Sequence, residues 1–271
     1  MIKGIDVSEY QGNIDWAKVK EDGVAFAIIR AGFGKNNVDK RFEANVKGCI
    51  ANNIPFGVYW FIYGLNDTDI LANASKFNSV ISPYKAKISM KVWSDFEYDT
   101  DAWANKNGVV FDKAKRTSMV RVFNEYMKSL GYEVGVYANP DYLNSKFNNL
   151  SDYPLWLAFY GTTEDKARKY NPTMWQYSSK GKVNGIKGDV DMNNLFEELK
   201  LKEVLPMLQK GSTGKAVKVW QVIIGATPDG VFGNDTKRLT KDFQKSRGLL
   251  VDGIVGNQSW EAGLKTLYNL I

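Results

Sequence analysis

The stretch Lys91–Tyr98 reads KVWSDFEY, and its two acidic residues decide how the rest of the chain is interpreted. Its alternating pattern predicts a β-strand that places Asp95 and Glu97 on the same face. Two positions along a strand are about 6.6–7 Å apart, so both carboxyl groups can reach one ligand, and each charge raises the pKa of the other. The motif alone leaves an alternative open, because D-x-E followed by Asp99 and Asp101 is also typical of a solvated acidic loop.

The length and composition predict a soluble globular protein. With 271 residues and 44% hydrophobic content, the chain is long enough for one barrel-sized domain and a smaller one. No apolar run reaches the roughly 18–20 residues that span a bilayer, and Met1 leads into a strand-like segment without a signal-peptide pattern. We therefore expect neither membrane insertion nor export by the general secretory route. The single cysteine, Cys49, is expected to be a buried core thiol.

The chain contains no histidine, and this excludes whole classes of chemistry. Ser-His-Asp and Cys-His hydrolases need an imidazole base, and zinc amidases and peptidases usually need imidazole ligands. General acid–base catalysis in this chain would then depend mainly on Asp and Glu. We expect carboxylate catalysis without a metal ion or an organic cofactor.

The net charge of +6 and the isoelectric point of about 9.1 favour anionic partners, such as nucleic acid, phospholipid surfaces or walls rich in teichoic acid. The basic residues do not form the clustered stripe that nucleic-acid binding requires. We therefore expect no nucleic-acid partner, and anionic wall polymers remain as possible secondary partners.

Short apolar segments separated by helical patterns predict an α/β barrel in which some helices are missing. The predicted strands are Lys3–Ser8, Val24–Ala31, Phe56–Tyr63, Lys91–Tyr98, Glu133–Ala138, Pro154–Tyr160, Thr173–Ser178 and Gly188–Met192. The predicted helices are Asp39–Asn52, Asp69–Val80 and Asp112–Ser129.

Acidic and aromatic residues gather at the predicted carboxyl ends of these strands, where barrels of this kind place their sites. The acidic residues are Asp6, Asp95, Glu97 and Asp191. Aromatic rings beside carboxylates suit sugar rings, and the rings that we select as substrate-binding candidates are Tyr59, Tyr137 and Trp175. About half of all rings near these strand ends are expected to be core residues instead.

Eight segments carry a resemblance to a known family. They read KGIDVSEYQGNIDW, AFAIIRAGFG, PFGVYWFIY, the D-x-E strand, GVYANPDYL, YPLWLAFY, MWQYSS and VDMNNLF. In this order they resemble the family 25 glycoside hydrolases, the Chalaropsis-type lysozymes, over roughly residues 1–197. The resemblance implies an irregular (β/α) barrel that hydrolyses the β-1,4 bond between N-acetylmuramic acid and N-acetylglucosamine in peptidoglycan. Trp60 departs from the family pattern, in which histidine is frequent at this position.

The resemblance also implies a catalytic set of Asp6, Asp95, Glu97 and Asp191. Glu97 is the candidate general acid, because neighbouring carboxylates and a partly dry cleft raise its pKa. Asp95 is the candidate ionised partner, and three roles stay open for it: attack on the anomeric carbon, activation of water, or orientation of the substrate's acetamido group. Asp6 and Asp191 are expected to tune the charge and position the sugar, although both also suit turns at strand ends.

A small second domain is predicted after a linker. We place the catalytic barrel at residues 1–197, the linker at 198–206, and a three-helix domain at 207–271. In this last part DGVFGND recurs as DGIVGNQ, 23 residues later. Together with LQKGSTGKAV and FQKSRGL, these repeats resemble the type 1 peptidoglycan-binding domain, which implies attachment to cell-wall peptidoglycan.

The two resemblances together predict a lytic enzyme tethered to its insoluble substrate, since tethering raises the local enzyme concentration. A phage endolysin fits this arrangement; it would stay in the host cytoplasm until lysis and then act on the bacterial cell wall. Two alternatives remain. One is a non-catalytic protein that only binds wall glycan, and the other is a chitinase or N-acetylglucosaminidase on the same barrel.

Overall fold

The computed structural model describes residues 2–196, 206–256, 258–260 and 262–263. The chain divides into two compact units, residues 1–202 and 203–271. The predicted linker limits, 198–206, remain a prediction, because residues 197–205 lie outside the described part of the chain.

The strands of the first unit, within residues 2–196, form a closed barrel. They are β1 (Ile2–Val7), β2 (Phe26–Phe33), β4 (Phe56–Phe61), β5 (Val92–Asp95), β6 (Val134–Ala138), β7 (Leu155–Ala158), β8 (Met174–Gly181) and β9 (Val190–Leu195), with a short β3 (Asn37–Val38) attached to β2. The order around the barrel is β1-β2-β4-β5-β6-β7-β8-β9, and β9 closes it by pairing with β1. Neighbouring strands run parallel from β1 to β8, whereas β9 is antiparallel to both of its neighbours. The α/β barrel prediction is confirmed.

Helices of unequal length cover this barrel. They are α1 (Trp16–Glu21), α2 (Phe42–Ala51), α3 (Asp67–Ile81), α4 (Tyr98–Lys106), α5 (Lys113–Ser129) and α6 (Glu164–Arg168). A single π-helical turn, Tyr142–Lys146, follows β6, and an antiparallel hairpin links β8 to β9. These short connections make the barrel irregular. Among the described residues, no helix combines the length and hydrophobicity needed to cross a bilayer.

Strand alternation separates two apolar cores. Inward-facing side chains fill the barrel itself: Phe26, Ile28, Trp93, Trp156, Met174 and Leu195. Outward-facing side chains pack against the helices in a larger cluster, which includes Val92, Phe96 and the free thiol of Cys49. Burial of Cys49 was predicted and is confirmed, and burial raises the pKa of this thiol well above its ordinary value.

The stretch KVWSDFEY forms a shorter strand than its pattern predicts. Strand β5 ends at Asp95, and Tyr98 begins helix α4 instead of continuing the strand. Glu97 is the N-cap residue of α4, where its backbone N–H donates to Thr100 Oγ1 at 3.4 Å. Helix capping overrides the alternating pattern here, because a capped helix start satisfies backbone groups that a strand end would leave unpaired.

The second unit is built on helices α7 (Lys215–Ile223) and α8 (Asn234–Ser246), and residues 258–260 are also helical. Its core contains Leu208, Val217, Trp220, Phe232, Val255 and Trp260. Two isolated antiparallel β-bridges connect loop segments of this unit, one between Leu208 and Val255 and one between Thr213 and Val231. A helical second unit with its own core agrees with the prediction, although much of the third predicted helix lies outside the described residues.

The sequence repeat of the second unit is also a structural repeat. Gln221 and Gln244 are buried, and each side chain bonds to the D-G loop that follows its own helix. The partners are Asp229, Gly230 and Val231 for Gln221, and Asp252, Gly253 and Ile254 for Gln244, at 2.7–3.1 Å. Each glutamine side chain forms hydrogen bonds with backbone N–H and C=O groups of its loop. The same loop-stabilising contact therefore occurs in both copies of the repeat.

Candidate active site

Four carboxylates meet at one mouth of the barrel. Asp6 lies near the carboxyl end of β1, Asp95 is the last residue of β5, and Glu97 follows two residues later. Asp191 lies near the beginning of β9, and because β9 runs antiparallel, its beginning reaches the same mouth and Asp191 pairs with Asp6. The structure therefore brings together the four acidic residues that the sequence selected.

Asp95 and Glu97 form a pair with raised pKa values. Asp95 is only 4% exposed, and burial together with the charge of Glu97 raises the pKa of its carboxyl well above the ordinary value. Burial also raises the pKa of Glu97, to about 7, although a hydrogen bond with Asp95 opposes this rise. The pair can therefore keep a proton near neutral pH. This burial rules out the solvated acidic loop as an account of D-x-E.

Asp6 and Asp191 form the second acidic pair. Burial and the adjacent charge of Asp191 raise the pKa of Asp6 well above its ordinary value. Burial raises the pKa of Asp191 to about 6. Residues that face each other across an antiparallel pair lie about 4.5–5.5 Å apart, so two full negative charges repel strongly here.

Amide side chains from two other strands hold Asp6. Gln176 of β8 and Asn193 of β9 each donate a side-chain N–H to Asp6 Oδ2, at 2.7 and 2.8 Å. Asn193 Oδ1 in turn accepts from the indole N–H of Trp156 at 2.8 Å. These bonds stabilise the ionised form of Asp6 and oppose the effect of its burial.

Two tyrosines share the remaining oxygen of Gln176. The hydroxyls of Tyr137 and Tyr160 donate to Gln176 Oε1 at 2.8 and 2.6 Å. The ring of Tyr137 packs edge-on against Trp156, with centroids 4.7 Å apart. Burial raises the pKa of both phenols, so they stay protonated and serve as hydrogen-bond donors.

Tyr59 of β4 lies at the same mouth. Its ring packs edge-on against Trp156 at 5.7 Å, and it is the register partner of Arg30 on β2. Burial and the charges of Asp6, Asp95 and Asp191 raise the pKa of its phenol well above 10. Tyr59 and Tyr137 therefore both flank the carboxylates, and their role as substrate-binding residues stays a prediction.

Trp175 does not join this site. It lies on the outer face of β8, because its neighbour Gln176 faces the barrel interior, and its indole N–H donates to the Phe159 carbonyl at 2.9 Å. Trp60, at the position that departs from the family pattern, is also buried on the outer face, where its indole N–H donates to the Gly34 carbonyl and to Asn73. Both rings stabilise the layer between the barrel and its helices.

Arg30 is a charged residue of the site that was not among the candidates selected from the sequence. It is buried on β2, where its Nε donates to Asp39 Oδ2 at 2.8 Å and its Nη2 donates to Glu9 at 3.2 Å. Its positive charge also acts on Asp95, where it opposes the rise of the pKa. An arginine within an otherwise apolar strand was the available signal, since a buried charge usually has a specific partner.

Gln176 and Asn193 were missed for a different reason. Both lie within segments that the resemblance used, MWQYSS and VDMNNLF, but amides are not titratable and no spacing rule links them to Asp6. Their role depends on strands that are 170 and 187 residues away from Asp6 along the chain.

The arrangement is suited to cleavage of a glycosidic bond. Such hydrolysis needs one carboxylic acid to protonate the leaving oxygen and a second carboxylate to stabilise or attack the oxocarbenium-like centre. The pair at the end of β5 supplies both groups. Tyrosine rings and hydroxyls beside it supply contacts for a sugar.

Comparison with known proteins agrees with this geometry. Residues 5–186 match the family described as Glycosyl hydrolases family 25, and residues 220–262 match the family described as Putative peptidoglycan binding domain. The chain is 30% identical over 266 residues to the autolytic lysozyme of Clostridium acetobutylicum, which covers 95% of this chain and 77% of that protein. It is 30% identical over 203 residues to lysozyme M1 of Streptomyces globisporus, covering 71% of this chain and 67% of that one. The solved structure of a family 25 glycosyl hydrolase from Bacillus anthracis superposes with a TM-score of 0.62 at 27% identity, covering 73% of this chain and 89% of that one.

Proposed function

Because the chain belongs to glycosyl hydrolase family 25, we propose that it is a lysozyme that cleaves peptidoglycan at the β-1,4 bond between N-acetylmuramic acid and N-acetylglucosamine. The observation that carries this proposal is the pair of Asp95 and Glu97, with raised pKa values, at the mouth of the barrel. A protein that only binds glycan has no need to crowd buried carboxyl groups, because such crowding destabilises the fold.

Glu97 is the general acid in this proposal. With a pKa of about 7 it holds a proton over much of the neutral range, and it is more exposed than Asp95, so a substrate oxygen can approach it. As the glycosidic bond breaks, the proton passes from Glu97 to the leaving oxygen, and the bond electrons stay with that oxygen.

Asp95 is the second carboxyl group of the pair, and in this proposal it acts at the anomeric carbon. Its Oδ1 is buried and has no hydrogen-bond partner among the described residues. Loss of the Glu97 proton leaves the pair more negative, which stabilises positive charge at the anomeric carbon. A free buried oxygen suits each of three roles: attack on that carbon, activation of water, or acceptance of the acetamido N–H of the substrate.

Asp6 and Asp191 support the pair from the neighbouring strands. Asp6 is held by two amides, so its carboxylate keeps a fixed position in the mouth. When it is ionised, Asp6 adds to the negative potential around the sugar. Tyr59 and Tyr137 supply ring faces and protonated hydroxyls for binding.

The second unit anchors the enzyme to the wall in this proposal. Its family match and its separate apolar core support an independent binding module. The positive net charge favours contact with anionic wall polymers as well. Release into the wall during host lysis, as for a phage endolysin, is the biological role that we propose.

Clearing of a purified Gram-positive wall suspension tests the proposal, with sedimentation onto the same walls as the binding assay. The intact chain is expected to clear the suspension, and Glu97→Gln is expected to bind equally well without clearing it. Asp189→Asn is the matched control, because Asp189 is an exposed acidic residue paired with Lys182, and this variant should clear like the intact chain.

Analysis of the new reducing ends separates the enzymatic alternatives. Muramidase activity releases chains that end in N-acetylmuramic acid, whereas an N-acetylglucosaminidase releases chains that end in N-acetylglucosamine. Equal clearing by the intact chain and by Glu97→Gln would show that the acid lies elsewhere. Binding without clearing by the intact chain would favour a non-catalytic wall protein.

A further inference from the structure

Glu97, the candidate general acid, lies between a strand and a helix. Strand β5 ends at Asp95 and helix α4 begins at Tyr98, and Glu97 between them has extended backbone angles, φ −139° and ψ −169°. Its N–H takes part neither in the strand pairing nor in the helical hydrogen bonds, because the N–H groups at a helix start have no partner within the helix. The partner of this N–H therefore helps to place the acid.

The hydroxyl of Thr100 binds this N–H and connects it to the end of strand β4. Thr100 is fully buried, and its Oγ1 accepts from the Glu97 N–H at 3.4 Å and donates to the Ile62 carbonyl at 2.7 Å. The direction of both bonds is determined, since an N–H only donates, a carbonyl only accepts, and a hydroxyl has one proton. Ile62 directly follows β4.

Ile62 also binds the other member of the acid pair. Its N–H donates to the Asp95 carbonyl at 2.8 Å, which continues the parallel pairing of β4 with β5. Asp95 is thus bonded to the N–H of Ile62, and Glu97 is bonded through Thr100 to its C=O. One buried residue therefore holds the backbone of both acidic residues, and the Thr100 hydroxyl completes the connection to Glu97.

Other contacts hold the same segment without this hydroxyl. The Thr100 N–H donates to the Glu97 carbonyl at 2.9 Å. Phe96, between the two acidic residues, packs outward against three rings at centroid distances of 5.9–6.3 Å: Phe111, Tyr142 and Phe147. These contacts remain when the hydroxyl is removed, so its loss should displace the acid without unfolding the segment.

We propose that Thr100 is a positioning residue for the general acid, and that its hydroxyl sets the place of Glu97 relative to Asp95. This inference rests on the proposed function. Thr100 is fully buried, so it acts through Glu97 and not on the substrate. Proton transfer depends steeply on such placement, since a displacement of about 1 Å can lower a rate by about a hundredfold.

The pKa of Glu97 reports its position. Burial is the largest cause that raises this pKa to about 7, so a Glu97 that moves towards solvent should have a lower pKa. Carboxyl groups from four elements act together with it: Asp95 of β5, Asp99 of α4, Asp191 of β9 and Asp6 of β1. Four phenols also interact with Glu97, and their raised pKa values keep them neutral: Tyr63, Tyr98, Tyr137 and Tyr160.

Cleavage of a soluble, peptide-free tetrasaccharide of alternating N-acetylglucosamine and N-acetylmuramic acid tests the proposal. Thr100→Val keeps the branched shape of the side chain and removes the hydroxyl. We expect kcat to fall by tenfold or more with little change in KM, and the alkaline limb of the kcat/KM profile to move to lower pH. Thr100→Ser keeps the hydroxyl and should behave like the unsubstituted chain.

Thr117→Val is the matched control. Thr117 of helix α5 has the same bonding pattern, because its Oγ1 donates to the Lys113 carbonyl at 2.7 Å and accepts from the Asn148 N–H at 2.8 Å. Both valine variants should lower the thermal unfolding temperature to a similar extent, since each leaves two backbone groups without their partner. Only Thr100→Val should change kcat and the alkaline limb.

The outcomes distinguish the role of Thr100 from the proposed function. Without cleavage by the unsubstituted chain, the proposed function itself fails. With cleavage, an unmoved alkaline limb in Thr100→Val and a loss of kcat no larger than in Thr117→Val would overturn the positioning role. Should Thr100→Val not fold, Thr100→Ala and Thr100→Ser repeat the comparison, since they differ only in the hydroxyl, and equal kcat values with equal limbs would overturn the role.

Discussion

Gln176 donates a hydrogen bond from its side-chain amide to Asp6 Oδ2 over 2.7 Å, although 170 residues separate the two along the chain. The other end of the same amide accepts from Tyr137 and Tyr160. One neutral side chain therefore fixes a catalytic candidate and two tyrosines. Its orientation is determined, because the oxygen faces two donors and the nitrogen faces a carboxylate.

Gln176→Leu should raise the pKa of Asp6 further, because a hydrogen bond that stabilises the charged form is removed. If ionised Asp6 is required, the acidic limb of the pH–rate profile moves to higher pH, and the rate below neutral pH falls by about tenfold or more. The measurement is the pH dependence of kcat/KM on a soluble, peptide-free tetrasaccharide of alternating N-acetylglucosamine and N-acetylmuramic acid. A uniform loss of rate with an unmoved acidic limb would show that Gln176 acts only through packing.

The pH dependence of cleavage should report the proton on Glu97. A general acid works only while it is protonated, so activity should fall as the pH rises through about 7, the pKa of Glu97. The slope is expected to approach tenfold per pH unit above this value. The alkaline limb is measured as kcat/KM between pH 5 and pH 9. A profile that stays flat to pH 9 would exclude Glu97 as the acid.

Asp191→Asn should stabilise the barrel, and more so at high pH. The pKa of Asp191 is raised from 3.8 to about 6 in the folded state, so ionisation destabilises the fold increasingly as the pH rises from about 4 to about 6. The variant should therefore gain about 1–3 kcal/mol at pH 8 and little at pH 4. Thermal unfolding of the full chain, followed by calorimetry at both pH values, measures the gain. Asp189→Asn is the control, because the pKa of Asp189 is lowered by Lys182, and this variant should show no such gain.

Gln244→Leu should unfold the second unit without harming the barrel. The substitution leaves the buried N–H of Gly253 and the half-buried carbonyl of Ile254 without their partner, at a cost of about 2–3 kcal/mol, and it also removes the hydrogen bond to the exposed Asp252. Sedimentation onto walls should be lost, while cleavage of the soluble tetrasaccharide should be unchanged, because the two units have separate cores. Gln209→Leu changes an exposed glutamine of the same unit and should retain binding. Loss of tetrasaccharide cleavage in Gln244→Leu would show that the units depend on each other.

The sequence by itself determined the features that follow from local periodicity. Alternation along KVWSDFEY put Asp95 on the inward face of the strand, and the end of the strand put both Asp95 and Glu97 at the barrel mouth. The same rule placed Asp6 there, but it was wrong for Asp191: the predicted strand Gly188–Met192 put this residue at a carboxyl end, whereas it lies at the beginning of β9 and reaches the mouth because β9 is antiparallel. The absence of histidine limited the chemistry to carboxylates before any contact was known.

The tertiary structure decided which faces are inward and which distant residues meet. Both faces of a barrel strand are buried, so the apolar pattern of MWQYSS does not show whether Trp175 or Gln176 faces the interior. Closure of the sheet by β9 makes Gln176 the inward residue and sets it, with Asn193, against Asp6. The raised pKa values likewise depend on burial and on charges from separate strands, and such long-range effects have no local signature in the sequence.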